Sequence, residues 1–296
     1  MSLIGQAVLA LTLLIFQASP ASSASPARAL EKPAAGPPYA LTVIPFYSPE
    51  KLWTLYSPLV EYLKKKTGKP WELKLYHDHD ALLEGLCKGE VSVALLGPIP
   101  LGRANKTCGV KPFLVALGKD GKPSYRSIIA TNDPAATGLG ILRGKKFGLF
   151  KGSTAAHIVP LKMLKDAGLG PNDIQPVFFE GQDRIMTALL MGEVAAAGMK
   201  EALFRKFEKE PIRALKTSDL LPNFSFCASP AASTDVVQQV TAALLALKPR
   251  EQTGDARTVS SWDDEIKNGF APPDADFLLS VIRLHGVYQE ILHETR

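Results

Sequence analysis

Short apolar segments of strand character alternate with amphipathic helical segments along most of the chain, and this alternation restricts the possible folds more than any other feature. A first cycle runs from a strand predicted at 40–46 to one at 125–131. A second cycle runs from a strand at 146–150 to one at 212–217. Alternating strands and helices predict an α/β architecture with mostly parallel sheets flanked by helices. Two cycles of similar form predict two lobes.

The C-terminal part is mainly helical, with helices predicted at 234–247 and 274–293. Because these helices have no sheet of their own, we expect them to pack on the first lobe, so that the chain crosses between the lobes twice. The first lobe then comprises residues 39–128 and 224–296, and the second comprises residues 129–223. A double crossing makes a hinge, and a ligand would bind in the cleft between the lobes.

Residues 1–29 have the pattern of a secretory signal. Their apolar run at 8–16 is too short to span a bilayer, and small residues follow it, although no Lys or Arg precedes it. We expect cleavage near Ala24 or Ala29, followed by a flexible leader rich in Pro, Ala and Gly at 30–38. The mature protein is therefore expected to be soluble and exported.

The charge and the cysteines exclude several functions. The net charge of +5 comes from scattered basic residues, and no nucleic-acid-binding module is recognisable, so we expect the charge only to help attract anions. Cys87, Cys108 and Cys227 lack the spacing of a zinc site. An exported protein can form a disulfide. The sequence favours a Cys87–Cys108 bond but leaves two unpaired thiols open, and Cys227 is expected in the core.

The segment at 151–160 is the strongest indication of a binding site. It follows a predicted strand and opens a helix predicted at 154–167. A strand that turns through Gly-Ser-Thr into a helix leaves backbone N–H groups directed at one spot, which suits an oxyanion. His157 lies one turn further on and could contact the same ligand. Alternatively, Ser153 or Thr154 only caps the helix.

Several motifs within residues 40–230 are similar to those of one known family. The clearest is Ser-Thr-Ala-Ala-His-Ile-Val-Pro at 153–160, similar to the family's Ser-Thr-Ser-Gly-His-x-x-Pro. Others are Tyr-Arg-Ser at 125–127, Tyr47 after the first strand, and Gly-Gln-Asp at 181–183. On these motifs the chain resembles the solute-binding proteins of phosphate, phosphite and phosphonate ABC importers.

The resemblance implies a periplasmic protein with the two-lobed type II binding-protein fold and no enzymatic activity. It implies that Ser127, Ser153, Thr154 and His157 hold the oxyanion and that Tyr47 closes the first-lobe side of the site. The partners it implies are the oxyanion and the permease of an ABC importer. We expect a monomer without a cofactor or a metal ion.

Lys200 departs from the family pattern. Family members that bind aminoalkyl phosphonates have an acidic residue after the short second-lobe strand, where this sequence has Lys200. A lysine there would repel an ammonium group and attract negative charge. We therefore include Lys200 in the predicted site and expect phosphate, phosphite, a small organophosphonate or another oxyanion rather than an aminophosphonate.

Other functions remain open on sequence alone. A protein of the same fold could bind a sulfonate, or it could report the anion to a membrane kinase as a sensor. Ser153 and His157 could suggest an enzyme, but they lack an acidic partner and a Gly-x-Ser-x-Gly elbow. The His-Asp-His-Asp run at 77–80 could suggest a metal site. Consecutive residues cannot all face one ion, so we predict a solvated turn in which Asp80 caps a helix.

Overall fold

The computed structural model describes residues 38–294, which form two β-sheets flanked by helices. The expectations for the signal sequence, its cleavage site and nearly all of the leader lie outside the described residues. The strands, in chain order, are β1 (Tyr39–Val43), β2 (Trp71–Leu73), β3 (Val93–Leu96), β4 (Lys111–Ala116), β5 (Ser124–Tyr125), β6 (Ser127–Thr131), β7 (Lys146–Phe150), β8 (Gln175–Phe179), β9 (Ala196–Lys200), β10 (Arg213–Thr217), β11 (Leu221–Pro222), β12 (Ser225–Ala228) and β13 (Phe270–Ala271).

The helices lie between these strands and in the C-terminal part. They are α1 (Pro49–Thr67), α2 (His79–Cys87), α3 (Pro98–Cys108), α4 (Val159–Asp166), α5 (Gln182–Leu190), α6 (Glu201–Lys206), α7 (Thr234–Leu245), α8 (Thr253–Thr258) and α9 (Ala275–Glu294). Two short 3₁₀ segments lie at Leu139–Leu142 and Pro171–Asp173, and a π-helical turn at Thr154–Ile158 precedes α4. No helix in this part of the chain is both long and apolar enough to cross a membrane.

Each sheet is mixed, and the reversed strands show where the chain changes sheet. The first sheet has the order β13-β4-β12-β3-β1-β2, in which β1 to β4 run one way and β12 and β13 run the other. The second has the order β10-β6-β9-β7-β8, in which only β6 is reversed. Strands β1 to β4 thus share one direction, as do β7 to β10, while β6 and β12 each follow a crossing and enter the middle of a sheet.

The two passages between the sheets lie side by side. β5 pairs with β11 in an antiparallel ribbon, with Tyr125 opposite Leu221. The single strand predicted at 125–131 is therefore wrong, because Arg126 interrupts it and donates a hydrogen bond to the Ser218 carbonyl. We call the first sheet with the helices packed on it the first lobe, and the second sheet with α4 to α6 the second lobe.

In the sequence, Gly97 and Pro98 after a buried strand indicate only a chain break, so helix α3 is not expected there. Proline is tolerated in the first turn of a helix, where no intrahelical N–H bond is lost, so Pro98 and Pro100 begin α3 rather than prevent it. A disulfide joins Cys87 at the end of α2 to Cys108 at the end of α3. The two thiols are therefore paired, as the sequence favours, rather than free. Cys227 is a fully buried free thiol, as expected.

Helix α9 contacts both lobes. It packs along α3 of the first lobe, and it also contacts α4 and the π-helical turn of the second lobe. Ile291 on α9, Ile99 on α3 and Ile158 form one buried apolar cluster. The Lys165 ammonium group on α4 lies 2.5 Å from the Glu290 carboxylate on α9. The C-terminal helix thus packs on α3 of the first lobe and also contacts the second lobe.

Candidate functional site

A cleft lies between the lobes at the carboxyl ends of β1, β3, β7 and β8. This is where ligands bind in open α/β sheets. It contains about 310 Å³ of space not filled by atoms, part of it open to solvent. Residues of both lobes and of the crossings line it: Ile44, Phe46, His79, Gly97, Pro100, Tyr125, Phe150, Ser153, Thr154, Ala155, Gln182, Lys200 and Phe224.

The lobes are in direct contact around the cleft. The Gln182 amide at the start of α5 donates to the Phe46 carbonyl at 3.3 Å. The Lys51 ammonium group lies 2.5 Å from the Asp183 carboxylate, and Lys206 pairs with Asp264. These contacts join elements of the two lobes, so the conformation is a closed one.

The turn after β7 places Ser153 and Thr154 in the cleft. Ser153 begins the π-helical turn, and its Oγ accepts a hydrogen bond from the Ala156 amide at 3.2 Å. The N–H groups of Thr154 and Ala155 lie in the first turn, where helix geometry provides no intrahelical acceptor. Ser153 is therefore a cap, as one alternative held, and it also belongs to a turn that faces the cleft.

Thr154 connects the lobes. Its Oγ1 accepts a hydrogen bond from the Ile99 amide of α3 at 3.0 Å, and its side chain is buried in the cleft wall. A hydroxyl group that accepts one bond still has a proton to donate. Thr154 can therefore hold the first lobe and donate to a ligand oxygen at the same time.

Ser127 and His157 lie against the turn but do not line the cleft. The fully buried Ser127 hydroxyl donates to the Ala155 carbonyl at 2.7 Å. His157 Nδ1 accepts a hydrogen bond from the Gly152 amide at 3.1 Å, so the proton of the neutral ring is on Nε2. Burial lowers the pKa of His157 to about 4, which makes the ring neutral at pH 7. Both residues fix the shape of the turn.

Tyr47 lies beside the cleft rather than in its wall. Its half-buried ring packs against Phe46, and the Lys51 ammonium group lies 3.7 Å from the ring centroid. Burial, together with the nearby carboxylates of Asp263 and Glu265, raises the pKa of the Tyr47 hydroxyl. Tyr47 is therefore neutral and lies next to the start of α5 in the second lobe.

Lys200 lines the cleft with its charge already paired. At the end of β9 its Nζ donates to Asn223 Oδ1 at 2.9 Å and forms an ion pair with Glu265. Nζ also lies 4.2 Å from the ring centroids of Tyr125 and Phe224. The Lys200 and Glu265 side chains are only 4% and 12% exposed. Glu265 therefore neutralises the positive charge that Lys200 was expected to bring to the cleft.

His79 was not predicted as a site residue. Asp78, not Asp80, caps α2, because Asp78 Oδ1 accepts from the Ala81 amide at 2.8 Å while Asp80 pairs with Arg103. The helix therefore begins at His79, whose side chain turns inward, where its ring lies 5.2 Å from that of Phe150. The predicted solvated turn is wrong at this residue, which is 5% exposed and lines the cleft.

The side chains of residues 77–80 do not converge on one point. His77 is 81% exposed and lies beside Asp78, whereas His79 lies in the cleft. Within residues 38–294, no group of three or more His, Cys, Asp or Glu side chains is placed to hold a metal ion.

Tyr125 and Gln182 also line the cleft, and both lie in motifs that resemble those of the family, although neither was predicted as a site residue. Tyr125 is the first residue of the Tyr-x-Ser segment, and Gln182 is the centre of the Gly-Gln-Asp segment. Their presence in these motifs was the signal that could have identified them. Glu265 had no such signal, because it lies 65 residues from its partner Lys200.

Gly198 in β9 lets the strand pack closely under the turn. A Cβ atom at this position would lie 2.4 Å from Pro160 Cγ. We expect Gly198→Ala to lower the free energy of unfolding by about 1–3 kcal/mol, because the rigid Pro160 ring must move. The control is Gly140→Ala, where a Cβ would meet no atom within 4 Å. Equal urea midpoints for the two variants would contradict this packing argument.

The cleft is suited to holding an anion by hydrogen bonds rather than by net charge. Hydroxyl groups and first-turn amides converge on it, its histidine is neutral, and its lysine is paired. Donors of this kind can surround a tetrahedral oxyanion, and each hydrogen bond to a charged acceptor contributes about 1.5–3 kcal/mol.

Comparison with known proteins agrees with this geometry. The sequence profile of the family described as ABC transporter, phosphonate, periplasmic substrate-binding protein matches residues 41–277. The phosphate-import protein PhnD of Mycolicibacterium smegmatis is 27% identical over 220 residues, which cover 68% of this chain and 68% of that protein.

Solved structures show the same fold. A binding protein component of an ABC phosphonate transporter from Pseudomonas aeruginosa has a TM-score of 0.74 at 16% identity, covering 88% of this chain and 89% of that one. PhnD1 from Prochlorococcus marinus, in complex with methylphosphonate, has a TM-score of 0.72 at 11% identity, covering 86% and 98%. The chain therefore has the two-lobed type II binding-protein fold.

Proposed function

Because the chain belongs to the family of periplasmic substrate-binding proteins of phosphonate ABC transporters, we propose that its interlobe cleft captures a small phosphorus oxyanion for delivery to the permease. The candidate ligands are phosphonate, phosphate and phosphite. One observation carries the proposal: the Ser153–Thr154 turn lines a cleft that the first lobe closes from the other side. A ligand held by both lobes favours the closed form, which is the basis of capture by such proteins.

The predicted site residues have different roles in this proposal. Ser153, Thr154 and Lys200 line the cleft and contact the oxyanion. Ser127 and His157 hold the turn in place through the Ala155 carbonyl and the Gly152 amide. Tyr47 lies at the rim, next to the start of α5.

We propose export with cleavage near Ala24 or Ala29 and a lobe division near residues 128 and 223. We also propose binding without catalysis. The family consists of transporter binding proteins. His157 Nδ1 accepts a bond from the Gly152 amide rather than facing the Ser153 hydroxyl, so these two residues do not form a nucleophile and base.

A ligand screen tests the proposal. The mature protein, dialysed extensively, is heated with phosphate, phosphite, methylphosphonate, aminoethylphosphonate, sulfate or taurine. A ligand at 100 times its Kd stabilises the native state by about 2.7 kcal/mol, which raises the melting temperature. We expect a rise with at least one of the first three anions. A rise with taurine or sulfate alone would overturn the proposed ligand class.

Thr154→Val tests the turn directly. Valine keeps the shape of threonine but removes the hydroxyl proton that we assign to the ligand and the acceptor used by the Ile99 amide. We expect at least a tenfold loss of affinity for the anion found in the screen, or about 1.4 kcal/mol, in calorimetric titration.

Thr217→Val is the matched control, because Thr217 is exposed on the same lobe. It should bind like the wild type. Unchanged affinity in Thr154→Val would remove this hydroxyl from the site.

A further inference from the structure

The Lys200 ammonium group is enclosed by four groups that together suit a cation. Its Nζ donates to Asn223 Oδ1 at 2.9 Å and forms an ion pair with the Glu265 carboxylate. It also lies 4.2 Å from the ring centroids of Tyr125 and Phe224. A carboxylate, an amide oxygen and two aromatic rings are partners that hold an ammonium group away from water. We call these four residues the ammonium pocket.

The walls of the ammonium pocket are held in place by contacts of their own. Asn223 Nδ2 donates to a carbonyl group of β4 at 3.0 Å, which leaves Oδ1 facing the pocket. The Glu265 amide donates to Asp263 Oδ1 at 3.0 Å. The Phe224 ring packs edge-on against the Phe46 ring. None of these contacts involves the lysine, so they remain when its side chain is removed.

Lys200 enters this pocket from the opposite lobe. It is the last residue of β9 and pairs with Ser127 of β6, whereas Glu265 precedes β13 of the first sheet. Its side chain is only 4% exposed. The pocket is thus filled by an ammonium group that belongs to the chain itself. A ligand that brought a second ammonium group would find these partners occupied and would face a like charge.

The ammonium pocket adjoins the proposed anion site. Lys200, Tyr125 and Phe224 line the same cleft as Ser153 and Thr154. A ligand with an oxyanion at one end and an amine at the other could therefore contact the Ser153–Thr154 turn and the pocket together, but only if the lysine side chain did not fill the pocket.

We propose that Lys200 determines specificity as a tethered ammonium group, which fills the ammonium pocket and so excludes ligands that carry an amine of their own. This inference rests on the proposed function for the oxyanion end of the ligand. Removal of the lysine side chain should convert a protein that rejects aminoalkyl phosphonates into one that prefers them.

Added propylammonium tests the pocket in Lys200→Ala without any oxyanion. Propylammonium is the part of the lysine side chain that this substitution removes. We expect it to raise the melting temperature of Lys200→Ala as its concentration increases, and to leave that of the wild type unchanged. If the variant is unfolded on its own, recovery of the circular dichroism signal on refolding from urea with propylammonium is the equivalent measurement.

Two further variants and a salt are the controls. Lys200→Ala combined with Glu265→Gln lacks the carboxylate and should gain no stability from propylammonium. Lys206→Ala removes a lysine that pairs with Asp264 on the same segment but is 44% exposed, and it should not respond either. Sodium chloride at the same concentration should not replace propylammonium. An equal response of all three variants, or no response in Lys200→Ala, would overturn the inference.

A matched pair of ligands tests specificity. Aminoethylphosphonate differs from ethylphosphonate only by its amine, and calorimetric titration measures the affinity for each. We expect the ratio of the first affinity to the second to be at least about tenfold higher in Lys200→Ala than in the wild type, because the ligand amine gains charge-assisted hydrogen bonds. The ratio within one protein cancels any general weakening of the anion site, including the lost contact of Lys200 with the oxyanion.

The outcomes separate this inference from the proposed function. If both proteins bind ethylphosphonate and the ratio is the same in both, the inference is wrong and the proposed function stands. If the wild type binds none of ethylphosphonate, methylphosphonate, phosphate and phosphite, the proposed function fails and the specificity inference fails with it.

Discussion

Glu265→Gln is expected to lower the free energy of unfolding by about 3–5 kcal/mol, the cost of leaving one partner of a buried ion pair unpaired. Its partner, Lys200, is 4% exposed and lies between two aromatic rings. After the substitution, the ammonium group keeps Asn223 as a neutral acceptor. Urea denaturation followed by circular dichroism measures the loss.

Two further variants distinguish the effect of the unpaired charge from an effect on packing. Lys200→Met combined with Glu265→Gln removes both charges and should recover part of the stability lost in the single variant. Asp183→Asn breaks the Lys51 ion pair, whose side chains are 42% and 47% exposed, and should cost less than about 1 kcal/mol. A double variant as unstable as Glu265→Gln would show that the buried charge is not the cause.

The same substitution also affects the cleft. With Glu265 neutral, Lys200 supplies an unpaired positive charge next to the Ser153–Thr154 turn, and an anion can replace the missing partner. We therefore expect phosphate to raise the melting temperature of Glu265→Gln more than that of the wild type. An equal rise in both proteins would indicate that the oxyanion does not approach Lys200.

Removal of the Cys87–Cys108 disulfide is expected to lower the free energy of unfolding by about 3 kcal/mol in the chain-entropy model. The bond joins the ends of α2 and α3 across a separation of 21 residues. The starts of the same two helices carry His79 and Gly97, which line the cleft. The loss should therefore include weaker positioning of the first-lobe side of the site. The double variant Cys87→Ala, Cys108→Ala is compared with the wild type in urea.

Reduction provides the control for the disulfide. Dithiothreitol should lower the urea midpoint of the wild type to near that of the double variant, and it should leave the double variant unchanged. Thiol titration of the unfolded protein confirms that the bond was broken. A wild-type midpoint unaffected by complete reduction would contradict the prediction.

The sequence predicts the order of most strands and helices, because each of these elements depends on a local pattern. The periodicity of α1 and the apolar strand β7 before Gly152 are readable in short windows, and they correspond to the observed elements. The turn at Ser153 and Thr154 faces the cleft for the same reason. A parallel strand followed by a helix places that turn at the ligand-binding edge of its sheet.

The sequence could not predict contacts made by distant residues. No local pattern links Lys200 to Glu265, because only the folded chain brings the segment before β13 to the end of β9. The sequence predicts a solvated position for His79, because a cap at Asp80 would begin the helix two residues later than the observed cap at Asp78. Helix α3 was missed because its prolines suggested a break, although their position in the first turn allows a helix.

The contact of α9 with both lobes has a consequence for the resting equilibrium of the free protein. Burying Ile291 with Ile99 and Ile158 favours the shut arrangement whether or not solute is present. The apparent affinity for a solute equals the intrinsic affinity multiplied by the fraction of molecules in the binding-competent conformation. A C-terminal helix that already lowers the energy of shutting therefore reduces the work left to the solute.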